Sequence, residues 1–261
     1  MTQRASFGRQ MWLLSRRSIA GTLRNAGVVI PALTVPLILF FVLASGLSAA
    51  EKVPGFPTKS FVTFALAVPF VNGALVAIAN SGQAIATDIE SGFIDRLSLT
   101  PMRRYALFGS QLAGVLVIGI LQGAIFLGIG LGVGAHIKSG VLGGVVLIVL
   151  FLLTVVAFGA LGMMIGMRTG SGEAVQAIAP MMTVFLFMSS MNFPRNLMEK
   201  EWFKWIATVN PLSYLVEGVR GLLIYRWDLQ ALGLGFAVAI GILLLGLFGS
   251  VQALKTRLVR T

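Results

Sequence analysis

The stretch Asp88-Ile-Glu-Ser-Gly-Phe-Ile-Asp-Arg-Leu-Ser-Leu-Thr-Pro-Met-Arg-Arg104 is short and densely charged, and it lies between two long hydrophobic runs. Its apolar residues, together with one that precedes it, recur at every fourth position: Ile85, Ile89, Phe93 and Leu97. This spacing predicts a helix with one apolar stripe, and Pro101 would end it. A chain that only has to cross the membrane again needs no such element. The segment is therefore either an ordinary polar loop or an amphipathic helix that docks on a soluble partner, and the pattern favours the helix.

The chain around this stretch has the composition of a polytopic membrane protein. Of its 261 residues, 57% are hydrophobic and 11% are charged, whereas soluble domains carry about 25% charged residues. Six runs are long and apolar enough to cross a bilayer as helices: Val28–Ala49, Ser60–Gly82, Ala106–Leu131, Val141–Met167, Ala174–Phe193 and Ala231–Leu254. The sequence therefore predicts an all-α protein with six transmembrane helices in residues 28–254.

The charge of the connecting segments predicts the orientation in the membrane. Basic residues are concentrated in the arm 1–27, the loop 83–105 and the tail 255–261. Positively charged segments stay in the cytoplasm, so both termini and the loop 83–105 are expected there. We therefore expect a multi-pass membrane protein with both termini on the cytoplasmic side. Anionic lipid head groups account for the net charge of +11, and nucleic acid is not an expected partner.

The arm 1–27 is patterned as a helix at the membrane surface. Phe7, Met11 and Leu14 share one helical stripe, and the arginines at positions 9, 16 and 24 fall on the opposite side. Such a helix would lie in the inner interface with its arginines toward lipid phosphates. The alternative is a basic tail that only sets the topology.

The outer loop 194–230 is too long and too apolar for a simple connector. The turn signal Asn210-Pro211 precedes an apolar stripe of helical spacing. Glu217 and Arg220 are one i,i+3 step apart in this stretch, a spacing that allows an ion pair. We interpret the loop as two short re-entrant helices that dip into the outer leaflet. A lid folded on the outer surface is the alternative.

Missing residue types exclude several classes of function. The chain has no cysteine, and its single histidine, His136, is in a predicted loop, so a Cys/His metal site is not expected. All nine acidic residues lie in loops or at span ends, whereas ion-coupled carriers commonly hold an ionisable group near the midplane. No G-x-x-x-x-G-K-[ST] run is present. We therefore expect no enzymatic activity and no cofactor in this chain.

Glycine, proline and amide residues within the spans predict how the helices pack. The pairs Gly119/Gly123 and Gly162/Gly166 have the small-xxx-small spacing of closely packed helices. We interpret the glycines at positions 128, 130, 132 and 134 in the same way, as residues of closely packed helices. Pro36 would leave a backbone carbonyl without its helical partner, and amides such as Gln122 are expected to bond between helices.

Two stretches resemble motifs of one known family. Glu90-Ser-Gly-Phe-Ile-Asp-Arg-Leu-Ser-Leu-Thr-Pro101 is similar to an acid-x-G-x-x-x-x-L-x-x-x-P coupling segment, and Asn210-Pro-Leu-Ser-Tyr-Leu-Val-Glu-Gly-Val-Arg220 to an outer N-P-x-x-x-x-x-E-x-x-R stretch. Both belong to the membrane subunits of type-2 ABC exporters, notably the daunorubicin-exporter-like permeases. The resemblance covers essentially the whole chain. Many members have Gly-Thr after the glutamate, where this chain has Ser91-Gly92.

The resemblance implies a division of labour between subunits. A separate ABC ATPase would hold ATP and magnesium, and this chain, as a homodimer or with a second permease subunit, would move a hydrophobic drug-like compound or a lipid. It implies two sets of site residues, namely the coupling residues Glu90, Gly92, Phe93, Arg96, Leu97, Pro101 and Arg103, and the outer motif Asn210, Pro211, Glu217 and Arg220. Two alternatives stay open: a lipid or polysaccharide exporter of the same architecture, and a membrane scaffold that recruits a cytoplasmic partner.

Overall fold

The computed structural model describes residues 7–93, 96 and 104–260, and every regular element in those residues is a helix. The α-helices are α1 (Phe7–Arg24), α2 (Ala26–Gly46), α3 (Phe61–Ala65), α4 (Ala67–Glu90), α5 (Arg104–Gly132), α6 (Gly140–Thr169), α7 (Gly172–Phe187), α8 (Glu201–Val209), α9 (Pro211–Leu223) and α10 (Leu229–Arg260). Two short 3₁₀ helices, Ser48–Lys52 and Arg195–Leu197, lie in the connections. The all-α prediction is confirmed.

Five helical segments are long and apolar enough to cross a membrane: Ala26–Gly46, Phe61–Glu90, Phe108–Gly132, Gly140–Thr169 and Leu229–Thr256. They correspond to five of the six predicted runs. The remaining run forms α7, which has 16 residues and ends at Phe187, so the predicted end at Phe193 is wrong. The chain turns there because Ser189 bonds back to the carbonyl of Leu186 instead of continuing the helix.

Helix α4 forms the centre of the bundle, and its close contact with α6 depends on glycine. A Cβ atom at Gly162 would come within 2.2 Å of the Ile78 carbonyl oxygen, and one at Gly166 within 2.4 Å of the Gly82 carbonyl oxygen. The backbones of α4 and α6 therefore touch directly, as the small-xxx-small spacing predicts. Phe70 of α4 adds edge-on contacts with the rings of Phe126 and Phe151.

The second glycine pair also packs as predicted, but the series on the same helix does not. Side chains of α6 lie 3.0 Å from a Cβ placed at Gly119 and 3.1 Å from one placed at Gly123. A Cβ at Gly128 or Gly132 would meet nothing within 4 Å, and only Gly130 is closely packed, against Leu66. The interpretation of the whole series as packing residues is therefore wrong. Regular spacing does not show which face of a helix meets a neighbour.

Helix α1 confirms the predicted helical arm and packs on α5. Met11 and Ser18 approach Gly109 and Gly114 so closely that a Cβ at either glycine would fall within 2.6 Å of them. Trp12 and Leu23 are exposed, at 68% and 48% of their surfaces. The arm is therefore attached to the bundle on one side and presents apolar side chains on another.

Gln122 provides the hydrogen bond that Pro36 removes from α2. In an unbroken helix, the Ala32 carbonyl would accept from the backbone nitrogen four residues later, but Pro36 has no N–H. The Gln122 Nε2 donates to this carbonyl oxygen at 2.8 Å, in a buried position. The side-chain amide of Gln122 on α5 thus replaces the backbone donor that Pro36 cannot supply to the Ala32 carbonyl.

We expect Gln122→Leu to destabilise the protein by about 1–3 kcal/mol, because the Ala32 carbonyl loses its partner in a buried position. The measurement is the melting temperature of the purified protein in detergent. Gln252→Leu, at an exposed position of α10, is the matched control and should melt like the wild type. Equal melting of both variants and the wild type would contradict the assigned role of Gln122.

Candidate functional site

The predicted coupling segment begins with a sharp end to α4. Gly92 adopts φ +66°, the left-handed region that favours glycine. The backbone nitrogens of Ser91 and Gly92 donate to Thr87 and Ile89, which closes the last turn of the helix. The predicted continuous helix through Ile85, Ile89 and Phe93 is therefore wrong, because α4 ends at Glu90 and Gly92 leaves the right-handed helical conformation.

Helical structure resumes directly after this turn. Phe93 and Arg96 are both helical, and the backbone nitrogen of Arg96 donates to the Gly92 carbonyl at 3.1 Å. The predicted coupling residues Leu97, Pro101 and Arg103 lie outside the described residues.

The guanidinium of Arg96 covers carbonyl groups of the turn. Its Nε donates to the Gly92 carbonyl at 3.2 Å, and its Nη2 donates to the Ser91 carbonyl at 2.8 Å. The side chain is otherwise exposed. It therefore places a positive charge at the surface of the turn and also helps to close it.

Asp88, two residues before the end of α4, joins three elements. Its side chain is buried; Oδ1 accepts from Arg17 of α1 at 2.9 Å and Oδ2 accepts from Gln111 of α5 at 2.8 Å. The Arg17 guanidinium also lies 3.9 Å from the centre of the Phe93 ring. The arm, the end of α4, the start of the coupling segment and α5 are thus connected through one arginine and one carboxylate.

Glu90 connects the turn at Gly92 to a further helix. Its Oε1 accepts from the backbone nitrogen of Gly172 at 3.2 Å, at the start of α7. A carboxylate is favourable there because the first backbone N–H groups of a helix are unpaired and its N-terminus is partly positive. The turn at Gly92 is therefore attached to α1, α5 and α7, three helices that are distant from one another in sequence.

The outer motif is the second predicted site, and its Asn-Pro pair begins α9. Asn210 Oδ1 accepts from the backbone nitrogen of Leu212 at 2.9 Å, and Pro211 occupies the first turn, where its missing N–H costs nothing. The Asn210 Nδ2 donates to the Phe185 carbonyl at 2.6 Å. One side chain thus caps α9 and fixes it to the end of α7. Two short helices are present in this loop as α8 and α9. Their insertion into the outer leaflet stays a prediction.

Glu217 pairs with a residue that sequence reasoning did not select. Its carboxylate accepts from Arg195 Nε at 2.7 Å and from Nη2 of the same residue. The ion pair with Arg220 that the i,i+3 spacing would allow is not found in the described residues. Burial alone would lower the pKa of Arg195, but the hydrogen bond and charge of Glu217 outweigh it and raise the pKa. Arg195 lies in the connection between α7 and α8, so this pair attaches that connection to α9.

Arg220 points into the protein and bonds backbone carbonyls of two segments. Only 4% of the residue is exposed. Its Nε donates to the Phe64 carbonyl at 3.2 Å, and its Nη atoms donate to the carbonyls of Ser190 and Met191. The guanidinium also lies 3.4 Å from the centre of the Phe64 ring. Burial lowers the pKa of Arg220 to about 9, so the group stays charged at neutral pH.

These segments hold Arg220 because their carbonyls lack helical partners. Phe64 lies next to the break between α3 and α4, and residues 190 and 191 follow the end of α7. Periodicity does not reveal such acceptors, which become free only where a helix breaks. Within the described part of the chain, no group of three or more His, Cys, Asp or Glu residues is arranged to hold a metal ion.

The long apolar helices, with short helices at one end and a charged turn attached to the bundle at the other, are typical of a polytopic membrane protein. Residues 9–224 match the family model described as ABC-2 type transporter, and the chain belongs to that family. It is 27% identical over 206 residues to a protein of Porphyra purpurea named “Putative transport permease ycf38”. That match covers 75% of this chain and 65% of the relative, slightly less than two thirds of its length. The family is one of transporters.

Proposed function

We propose that the chain is the transmembrane permease subunit of an ABC exporter that moves hydrophobic or amphipathic compounds, drug-like or lipid, out of the cell. A separate ATPase subunit hydrolyses the ATP. One observation carries this proposal: the turn at Gly92 is attached through Asp88 and Glu90 to α1, α5 and α7. A displacement of this turn by a partner is therefore passed to several helices together.

The proposed orientation places the turn and both ends of the chain in the cytoplasm of a prokaryotic cell. Helix α7 is then the sixth membrane crossing, shorter than the about 20 residues of a typical transmembrane helix. The rest of the chain covers little of the apolar stretches of α2 and α10. Only 17% of the stretch in α2 and 22% of that in α10 are buried. Lipid and a second permease subunit, identical or different, cover these surfaces.

We expect Arg96→Glu to reduce ATP-dependent export at least tenfold, because the reversed charge repels an acidic docking surface that Arg96 would meet. The measurement is efflux of a fluorescent anthracycline from vesicles that contain this chain and its ATPase subunit. Arg96→Lys loses the guanidinium bonds to the turn but keeps the positive charge. The difference in export between Arg96→Glu and Arg96→Lys therefore measures the effect of the charge.

Arg168→Glu is the matched control, because Arg168 is exposed at the end of α6 and belongs to no coupling contact in the described residues. It should export like the wild type. Full export by the Arg96→Glu complex would contradict the docking role. Stimulation of the ATPase by the wild-type permease without probe movement would retain the permease assignment and reject this class of substrate. A failure of the two subunits to associate would favour the scaffold alternative.

A further inference from the structure

A cavity of about 400 Å³ lies between α1, α2, α4 and α5. Small-molecule sites in proteins commonly have volumes of about 300–1,000 Å³. Along α4, its lining extends from Asp88 to Gly73, which corresponds to about 22 Å at 1.5 Å per residue. The cavity is therefore elongated and reaches from the coupling turn toward the middle of the bundle.

The polarity of the lining changes along this length. Near Asp88 the lining consists mainly of hydroxyl and amide side chains, among them Gln83, Thr87, Ser110, Gln111 and Gln176. Toward Gly73 the lining is largely apolar and includes Ala77, Val115, Ile118 and Val155. A ligand with a polar head and an apolar tail matches this gradient, with its head at the end of α4.

The polar end of the cavity has no net charge. Among the described residues that line it, only Arg17 and Asp88 are charged, and they bond each other at 2.9 Å. Gln111 donates to the second carboxylate oxygen, and the Arg17 guanidinium lies on the Phe93 ring. An anionic or cationic head group would have to compete with this pair, so the site favours an uncharged head.

Two residues of the lining carry a polar atom that has no hydrogen-bond partner in the described part of the chain. Ser81 is 3% exposed, and both its Oγ and the Oε1 of Gln83 are buried without a hydrogen bond. Most buried polar atoms in proteins are paired, because leaving one unpaired costs free energy. A hydroxyl or amide donor of a bound molecule would satisfy the Gln83 Oε1, and the Ser81 hydroxyl is able both to donate and to accept.

We propose that this cavity binds an uncharged amphiphile with hydroxyl donors in its head group. The head bonds Gln83 Oε1 and Ser81 Oγ, and the tail lies against Val115, Ile118 and Val155. Such a molecule enters either from the inner leaflet, as a lipid, or from the aqueous phase. That it is also the transported compound rests on the proposed function, whereas the binding itself does not.

The test uses the full chain in phosphatidylcholine nanodiscs, since phosphatidylcholine has no donor in its head group. A 1-acylglycerol with a photoreactive diazirine in its chain is crosslinked, and the labelled peptides are mapped by mass spectrometry. We expect labels on the cavity-lining residues of α4 and α5. Water-soluble 1-octanoylglycerol should compete with the label, whereas methyl octanoate, which has no donor, should not. Neither ATP nor an ATPase is present, so this result is independent of the transport assay.

Two variants separate binding from folding. Ser81→Ala removes an unpaired hydroxyl, so its melting temperature should equal or exceed that of the wild type while labelling falls about three- to tenfold. Gly21→Leu fills the cavity from α1, where a Cβ would meet nothing within 4 Å, and should abolish labelling. Ser250→Ala is the control, because the Ser250 hydroxyl bonds Gly246 and Ala160 away from the cavity.

Each outcome has one meaning. Cavity labelling that 1-octanoylglycerol displaces supports the site and identifies a ligand that can enter from water. Cavity labelling that only membrane-incorporated acylglycerols displace supports the site and identifies the inner leaflet as the source. Labels confined to lipid-exposed side chains, or equal labelling of wild type, Ser81→Ala and Gly21→Leu, would overturn the proposal.

Discussion

Arg220→Leu is expected to prevent accumulation of folded protein, or to lower its melting temperature more than any other substitution of an arginine in α1–α10. The reason is that three backbone carbonyls, of Phe64, Ser190 and Met191, lose their donor together. Each unpaired buried acceptor costs about 1–3 kcal/mol. A folded protein is typically stable by only about 5–15 kcal/mol, so the combined loss is a large part of the total.

The measurement is the yield of monodisperse protein after detergent extraction, followed by its melting temperature. Arg220→Lys should be intermediate, because one ammonium group keeps the charge but does not reproduce the planar fork or its stacking on Phe64. Arg168→Leu, at an exposed position of α6, should behave as the wild type. A yield and melting temperature of Arg220→Leu within the error of the control would disprove the structural role.

Gly162→Ala is the second substitution with a large expected effect. The added methyl group would lie 2.2 Å from the Ile78 carbonyl oxygen and 2.9 Å from the Ile78 carbonyl carbon. These are backbone atoms of α4 and cannot rotate away, so the two central helices must separate. Strain of this kind typically costs about 1–3 kcal/mol and occasionally more. We expect a markedly lower melting temperature and loss of export.

Gly128→Ala is the matched control, because its methyl group would meet nothing within 4 Å. Alanine has a higher helix propensity than glycine by about 1 kcal/mol, so this variant should be as stable as the wild type or more stable. The two identical substitutions are thus expected to change stability in opposite directions. A Gly162→Ala protein as stable as Gly128→Ala would show that α4 and α6 are not in backbone contact.

The fold was predictable to the extent that it depends on local pattern. Long apolar runs predicted the membrane helices, since a buried or lipid-facing helix must be apolar along its length. Asn210-Pro211 predicted the start of α9, because an N-cap asparagine followed by proline acts within one turn of chain. The prediction is wrong at the end of α7, where residues 188–193 form turns. Met188, Met191 and Phe193 extend the apolar run there, but Ser189, Ser190 and Asn192 interrupt it.

The candidate site was only partly predictable. The charge and the apolar spacing predict the coupling segment, but the predicted helix runs through Gly92, because the left-handed conformation of this glycine is not visible in the spacing. The i,i+3 spacing allows Glu217 to pair with Arg220, whereas in the structure Glu217 pairs with Arg195 from the connection between α7 and α8. The link between Arg17 and Asp88 was not foreseen, since the two residues are 71 positions apart.

The amino-acid sequence alone therefore determines a helical membrane protein of the ABC-2 family, its main apolar helices and the place where α9 begins. These features depend on residues within a few turns of one another. The tertiary structure decides which glycines touch a neighbouring backbone and which carbonyls accept hydrogen bonds from Arg220 and Gln122. It also decides how Asp88 and Glu90 attach the turn at Gly92 to three helices. The physical reason is that a hydrogen bond or a close contact between distant segments depends on their relative position in space. That position is set by the packing of the whole bundle.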